Sequence, residues 1–588
     1  MAALFTTPKR NDNTSGAHFA EPDARRRTLL AHGSWRRVTR RIVVGAVCAL
    51  TVSSLLMPSV SLAAERVEVG GAWYDTAAGD EAGTWSWDGA DDMKLNGYNG
   101  GAITAEGKLN VNYSGNNTVT NNDGCGISVT EDTNGNAELN IQGDASSTLN
   151  VTSSSDAIWS EGDINIDGAG TVNATSTESD AIDAKGDLTI KGSGNVNATG
   201  DSDGIRADDN ITIDSSGTVT AKATEDEGID ANENLIIKGG GKVEASSVKD
   251  KAIEADGNIE ISGGSQVKAS SKEDYAVKAY GGLTVTNASL DAHGVGYGIY
   301  TYKGITLDGA TVTVRASSDG GEAIALYTDE DDIVIKNGSS VDAFAEGEFS
   351  IAVSTRNYDP NGAGGHIYIS DSVVKAIARY VESDSDGPDH YSNDQSGAVI
   401  PEHRGVNIGI FARTEEGITP ATISIVRSKV TAEGDTAAIF ALATSADGET
   451  IGTIEIEGAI IQEPAGGKII GYRNKEELDD GIFYEVGQTI GTGDATINSP
   501  YDAAVAKSTV IAPPEEIKPE EKPGETKPEG SKSEGTKTTK TVAAVATGAK
   551  TTGKLAATGD ASSAAIVAAA LAGTAAIAAG VVVSRKRS

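Results

Sequence analysis

Between about Trp159 and Ala343, apolar residues come in pairs spaced i, i+2 with a polar residue between, and the pairs return every 22–25 residues. One column runs Ile158, Ile182, Ile205, Ile229, Ile253, Val277, Ile299 and Ile324, with a small residue two positions on, as at Ala184, Ala207 and Ala231. A second pair follows at a fixed offset (Leu188/Ile190, Ile211/Ile213, Leu235/Ile237). A third closes the unit (Val196/Ala198, Val219/Ala221, Val243/Ala245). Alternation of this kind marks a strand with one buried face. Three such strands, separated by turns such as Lys238-Gly239-Gly240-Gly241, leave no room for a helix in the unit.

A repeat of this length is one structural unit stacked on itself. The expected fold class is all-β, a right-handed single-stranded parallel β-helix, its hand following the crossover rule. Ile, Leu and Val ladders fill its core, and Ala ladders sit where opposing walls approach. Weaker matches at Ile103, Ile127, Ile367/Ile369, Ile408/Ile410, Ile423/Ile425 and Ile439 extend the stack. At a coil spacing of about 4.8 Å the rod would be roughly 70 Å long. Open stacks need caps, expected at Trp73–Trp87 and Ile451–Ile511.

Composition narrows the partners. The formal charge is −37, which argues against nucleic acid and suits divalent cations and basic or neutral ligands. Of the two cysteines, Cys48 lies in the apolar N-terminal run, so Cys125 would stand alone after export and no intrachain disulfide forms.

The two ends read as addresses. Arg36, Arg37, Arg40 and Arg41 precede an apolar run, Ile42 to Leu62, that ends in Ser61-Leu62-Ala63-Ala64, the pattern of a secretory signal. Leu555-Ala556-Ala557-Thr558-Gly559 precedes an apolar span, Ala564 to Val583, and a basic tail, Arg585-Lys586-Arg587. This order resembles the sorting signal read by sortase transpeptidases, with Ala556 where proline is commoner. The resemblance implies a Gram-positive-type surface protein cleaved between Thr558 and Gly559 and joined to peptidoglycan. The Pro-, Glu- and Lys-rich stretch Pro513 to Lys540 is expected to be a disordered stalk. The chain thus divides into a signal (1–64), an N-terminal cap (65–101), the β-helix (102–450), an irregular C-terminal cap (451–512), a wall-spanning stalk (513–554) and a sorting signal (555–588) with its terminal hydrophobic helix.

Two sets of side chains repeat with the coils. Asp156, Asp180, Asp203 and Glu227 lie two residues before the anchoring isoleucine, and Asp183, Arg206, Asp230 and Glu254 one after it, on the outward side. Such columns repel themselves, and Ca²⁺, which takes six to eight oxygens, would relieve them. They equally suit a solvated row of turn formers. Farther along, Tyr280, Tyr302 and Tyr327 share the position three after the anchor. Tyr275 and Tyr297 stand two before it, and Tyr300 one after it. A row of phenol rings is a platform for sugar rings; it also stabilises neighbouring coils by itself.

The coils Ser179-Asp180-Ala181-Ile182-Asp183-Ala184, Asp203-Gly204-Ile205-Arg206-Ala207-Asp208 and Glu227-Gly228-Ile229-Asp230-Ala231 resemble a bacterial carbohydrate-binding parallel β-helix family of the cellulose- and pectin-binding type. The resemblance covers roughly Ile158 to Val314. It implies polysaccharide binding with calcium between coils on acids such as Asp180, Asp203 and Asp230. Lys251 and Tyr275 depart from the acidic pattern.

The same fold carries lyases and hydrolases, so fold alone decides nothing. Arg206 is the best candidate for a lyase base, yet an arginine among four acids more often balances charge. The turns of the regular coils offer no cleft for paired carboxylates. His293, His366, His390 and His403 lack ligand spacing and read as surface loop residues. The reading is a non-catalytic, wall-anchored polysaccharide binder of a plant or host glycan. The alternative is an adhesin or spacer binding a host surface protein. The long loops Arg356–Gly365 and Glu382–Arg404 are where a solenoid commonly builds its binding face.

Overall fold

The structure is a computed structural model and describes residues 64–319, 321–357, 364–381, 407–414, 421–434, 437–443, 453–463, 470–472, 497–498, 502–505 and 508–514. These belong to the first of two compact units, Met1–Glu516; the second, Ile517–Ser588, lies outside the described residues. So do the expected secretory signal up to Ala63, the stalk beyond Pro514, the sorting motif, and most of both long loops.

The described residues form strands and turns with no helix. Each regular coil contributes one strand to each of three sheets. In one coil these are Ile158–Ser160 (sheet 1), Asp163–Gly168 (sheet 2) and Thr171–Ser176 (sheet 3). Successive coils pair parallel, and the register stacks like on like. Ile158, Ile182, Ile205, Ile229, Ile253, Val277 and Ile299 lie one over another in sheet 1. Leu188, Ile211, Leu235 and Ile259 do so in sheet 2, and Val196, Val219, Val243 and Val267 in sheet 3. All of these side chains are buried in one core, each worth about 1.5–3 kcal/mol by area burial. The described residues form a parallel β-helix.

The turn from sheet 2 to sheet 3 explains its glycines. Gly168, Gly192 and Gly239 have φ of 113°, 85° and 94°, a left-handed backbone that glycine adopts without a Cβ penalty. A Cβ at Gly192 would also lie 2.2 Å from the Gly168 carbonyl oxygen one coil below.

At both ends parallel pairing gives way to antiparallel. Arg66–Val69 pairs antiparallel with Ala72–Tyr74 and with Ile103–Glu106, and Trp85–Trp87 with Ala78–Gly79 and Asp92–Asn96. Trp85 and Trp87 are buried there. At the other end Ser508–Ala512 and Asp502–Val505 pair antiparallel with Lys429–Glu433 and Ala437–Ala443. Turning the chain back covers strand edges that would otherwise template further pairing.

One expected register is corrected. Leu326, not Ile324, lies over Ile299, while Ile324 lies opposite Tyr297. In Glu322–Thr328 the run Ala323-Ile324-Ala325-Leu326 alternates in two equally amphipathic frames. The frame adopted keeps Thr328 over Thr301. Ile324 then joins a second apolar cluster with Tyr327, Ile351, Ile408, Phe411 and Phe440.

Candidate functional site

The repeating acids and tyrosines occupy one stripe on the outer side of sheet 1, at the entry turn, on the middle strand residue and, for Tyr280 and Tyr302, just past the strand end. Along the rod its chemistry changes from ion-paired to phenolic to apolar.

The ion-paired part begins with two groups of acids. Ligand atoms of Asp156, Asp180 and Asp183 lie within 4.8 Å of one another, as do those of Asp203, Glu227 and Asp230. The outward acids are not solvated. Asp183, Asp230 and Glu254 are 3 %, 5 % and 5 % exposed and Glu227 is fully buried, because stacked neighbours and the turn residues three positions earlier cover them. That corrects the expectation of a solvated turn row. Arg206 reaches four carboxylates: Nη2–Asp208 2.8 Å, Nη1–Asp183 3.4 Å, Nε–Asp230 3.5 Å and Nε–Asp203 3.8 Å. Two coils on, Lys251 Nζ lies 2.7 Å from Asp250, 3.4 Å from Glu227 and 3.5 Å from Glu254. Lys278 Nζ is 3.3 Å from Glu254.

The protonation pattern follows. Burial pushes the Asp180 carboxyl up to about 6, with Asp183 and Asp156 adding to it. Burial raises Asp203 well above its ordinary range, reinforced by Asp230 and Asp180. Glu227 is raised by burial and by its hydrogen bond to Glu254. Glu254 shows the opposite: against the cost of burial, that bond and the ammonium groups of Lys251 and Lys278 hold it at about 2. Arg206, despite burial, is held cationic by Asp183, Asp208, Asp230 and Asp203. It balances charge and has no lone pair to act as a base.

In the phenolic part, Tyr280 and Tyr302 stack face to face, 5.0 Å between centroids and 7° between planes. Lys278 Nζ sits 4.3 Å from the Tyr280 centroid and donates to its hydroxyl at 2.8 Å. Tyr327 does not continue this column, which corrects the expected row: it lies over Tyr300, 5.2 Å away. Tyr300 packs edge-on against Tyr302 at 5.2 Å, and Tyr297 edge-on against Tyr275 at 4.7 Å. Tyr327 is buried, its hydroxyl donating to Asp329 at 2.8 Å, and Tyr297 donates to Glu322 at 3.0 Å. Burial and these carboxylates raise the phenols of Tyr297, Tyr300 and Tyr327, and burial takes Tyr275 to about 12, so all remain O–H donors at neutral pH.

Farther on, the middle position becomes Phe411 and Phe440, 5.7 Å apart and buried. The pattern Ile-Gly-Ile-Phe and Ala-Ile-Phe-Ala carried that signal in the sequence. Lys251 and Lys278 were the residues whose role sequence reasoning missed; their signal was the break in the acidic columns. His366 is buried, against its reading as a surface loop residue, and its Nδ1 accepts the Thr422 N–H at 3.1 Å. Cys125 is a free thiol, raised by burial. Leu555, Ala556, Ala557, Thr558 and Gly559 lie outside the described residues.

Residues 104–341 match a family described as carbohydrate-binding domain-containing protein. The matched region includes the whole ion-paired stripe and the tyrosines, and the match supports carbohydrate binding. No curated protein and no solved structure matches the chain.

Proposed function

We propose that the β-helix binds polysaccharide without cleaving it, and that the exposed part of the tyrosine face is where a sugar ring stacks. The observation that carries this is the parallel, stacked pair Tyr280–Tyr302, half-buried on a rigid ladder, with Tyr300 at its edge. An aromatic face left open by the stack suits the C–H face of a pyranose, and the neighbouring phenol oxygens, whose protons go to Glu322 and Asp329, accept from sugar hydroxyls. Tyr327 supports the platform from beneath through Tyr300. The cationic state of Arg206 and its four acid partners favour a non-catalytic role.

Calcium is the second part of the proposal. Among the described residues the stripe holds Asp180 and Asp183 in one group and Asp203, Glu227 and Asp230 in another, with Lys185, Arg206 and Lys251 as ion-pair partners. The donor set is oxygen only, which fits a hard divalent ion. Its role would be structural, locking coils in register behind the tyrosine face, and it would bridge any uronate ligand to a stripe that otherwise repels it. Export and sortase-mediated attachment to peptidoglycan complete the reading and rest on the terminal sequence patterns alone.

Glycan-array binding of the full chain tests the central point. Tyr280→Ala with Tyr302→Ala is expected to lower binding by about tenfold or more. Unchanged binding would contradict the assignment.

A further inference from the structure

A different face of the rod carries a second regular pattern. On sheet 3 the strand Thr171–Ser176 buries Val172, Ala174 and Ser176 and turns Thr171, Asn173 and Thr175 outward. The strand below turns out Thr148, Asn150 and Thr152 in register with them. The strands Asn116–Asn121 and Asn195–Thr199 place the same two residue types at the same three positions. Across four coils every outward position is therefore threonine or asparagine, with no charge, on a chain whose formal charge is −37. Charge returns at the next coil, where Lys222 occupies the register of Thr199.

The amides are fixed in one orientation. Asn197 Nδ2 donates to Asn173 Oδ1 at 2.8 Å, Asn173 Nδ2 to Asn150 Oδ1 at 2.8 Å, and Asn150 Nδ2 to the Asn117 carbonyl at 3.1 Å. An amide has two N–H groups and two acceptor lone pairs, so each ladder member keeps a donor and an acceptor beyond the ladder. Hydroxyls flank Asn150 and Asn173 on both sides, and Asn197 stands between Asn195 and Thr199. The lattice repeats at about 4.8 Å along the rod and about 6.8 Å across it, and stacking sets that repeat before any ligand arrives.

The geometry points to this face as a second glycan-binding surface, taking a neutral, extended polysaccharide laid along the rod with one sugar per coil. The inference rests on the carbohydrate-binding reading and adds a site to it. A neutral polymer fits because the face offers no counter-charge to a uronate and only short polar groups to hydroxyls. The coil step is close to the length of one pyranose in an extended chain. Pre-set donors and acceptors lower the ordering cost that weakens binding by flexible side chains.

The test is affinity electrophoresis of the full chain through a soluble mixed-linkage β-glucan, with polygalacturonate as the charged comparison. The variant Thr152→Lys/Thr175→Lys/Thr199→Lys extends the column that Lys222 begins one coil on; its stacked lysines repel one another, so a modestly lowered thermal midpoint with an unchanged far-ultraviolet spectrum is expected and shows that the fold is kept. Its affinity for the neutral glucan is expected to fall about tenfold or more, while the triple Thr→Ser variant, which keeps the hydroxyls, retains it. Undiminished glucan binding by the lysine variant, with loss in Tyr280→Ala/Tyr302→Ala, overturns this face and leaves carbohydrate binding standing. Failure of the unsubstituted chain to bind any glycan overturns both.

Discussion

The Tyr327 ring lies over Tyr300, with 5.2 Å between centroids, and gives its hydroxyl to Asp329 at 2.8 Å. It is a buried support, whereas Tyr302 is half-buried and stacks flat on Tyr280. The two residues should therefore fail differently. Tyr327→Ala is expected to cost about 3–5 kcal/mol of stability, as for a large buried aromatic. Tyr302→Ala should cost less than half of that while weakening sugar binding. Urea denaturation alongside glycan binding separates the effects; equal stability losses would argue against this division of roles.

Arg206 holds four carboxylates from three coils. Replacing it with methionine keeps much of its bulk and leaves those acids facing one another. Removing one partner of a buried pair costs about 3–5 kcal/mol; with the Arg206 side chain 25 % exposed, about 2–3 kcal/mol is expected at pH 7. The loss should shrink at pH 5, where protonation relieves the acids. A pH-independent loss in denaturant midpoint would mean that Arg206 acts by packing alone.

Burial raises Asp180 from 3.8 to about 6 and Asp274 likewise to about 6. Between those limits the folded chain holds protons that the unfolded chain has released, so stability falls as pH rises from about 4 to about 6. For Asp180 alone that is about 3 kcal/mol. Glu254, depressed to about 2, runs the other way: its contribution is present above about 4.5 and lost as pH falls toward 2. Urea midpoints in EDTA should therefore peak near pH 4–5. A profile still rising at pH 7 would contradict the raised acids.

Calcium should act where the protons do not. At pH 7 in excess calcium the thermal midpoint is expected to rise, since an ion that binds only the folded state stabilises it by about 2.7 kcal/mol at a hundred times its dissociation constant. At pH 5 the gain should be smaller, because protons compete for the same carboxylates. Asp183→Asn with Asp230→Asn, one acid from each of the two groups, should remove most of the difference between the two conditions. An undiminished calcium effect in that variant would place the ion elsewhere.

The stack was legible because Ile182, Ile205 and Ile229 recur at a spacing that one coil enforces, and alternation told inside from outside. The position of Tyr327 was not, because Ala323-Ile324-Ala325-Leu326 fits two frames and only the partner strand selects one. The burial of Asp183 and Asp230 was hidden for a related reason. Alternation places them outward, but their cover comes from the turn residues beside them and from neighbouring coils. Lys251 looked like a departure from the pattern and, together with Lys278, is its counter-ion.

The most direct measurement is an equilibrium depletion isotherm of the full chain on a panel of insoluble polysaccharides, run with calcium and with EDTA. Saturable depletion by at least one polysaccharide, competed by its soluble oligosaccharide, is the expected result. Depletion by none of them, with retention on a deglycosylated host protein, would contradict polysaccharide binding and leave an adhesin in its place.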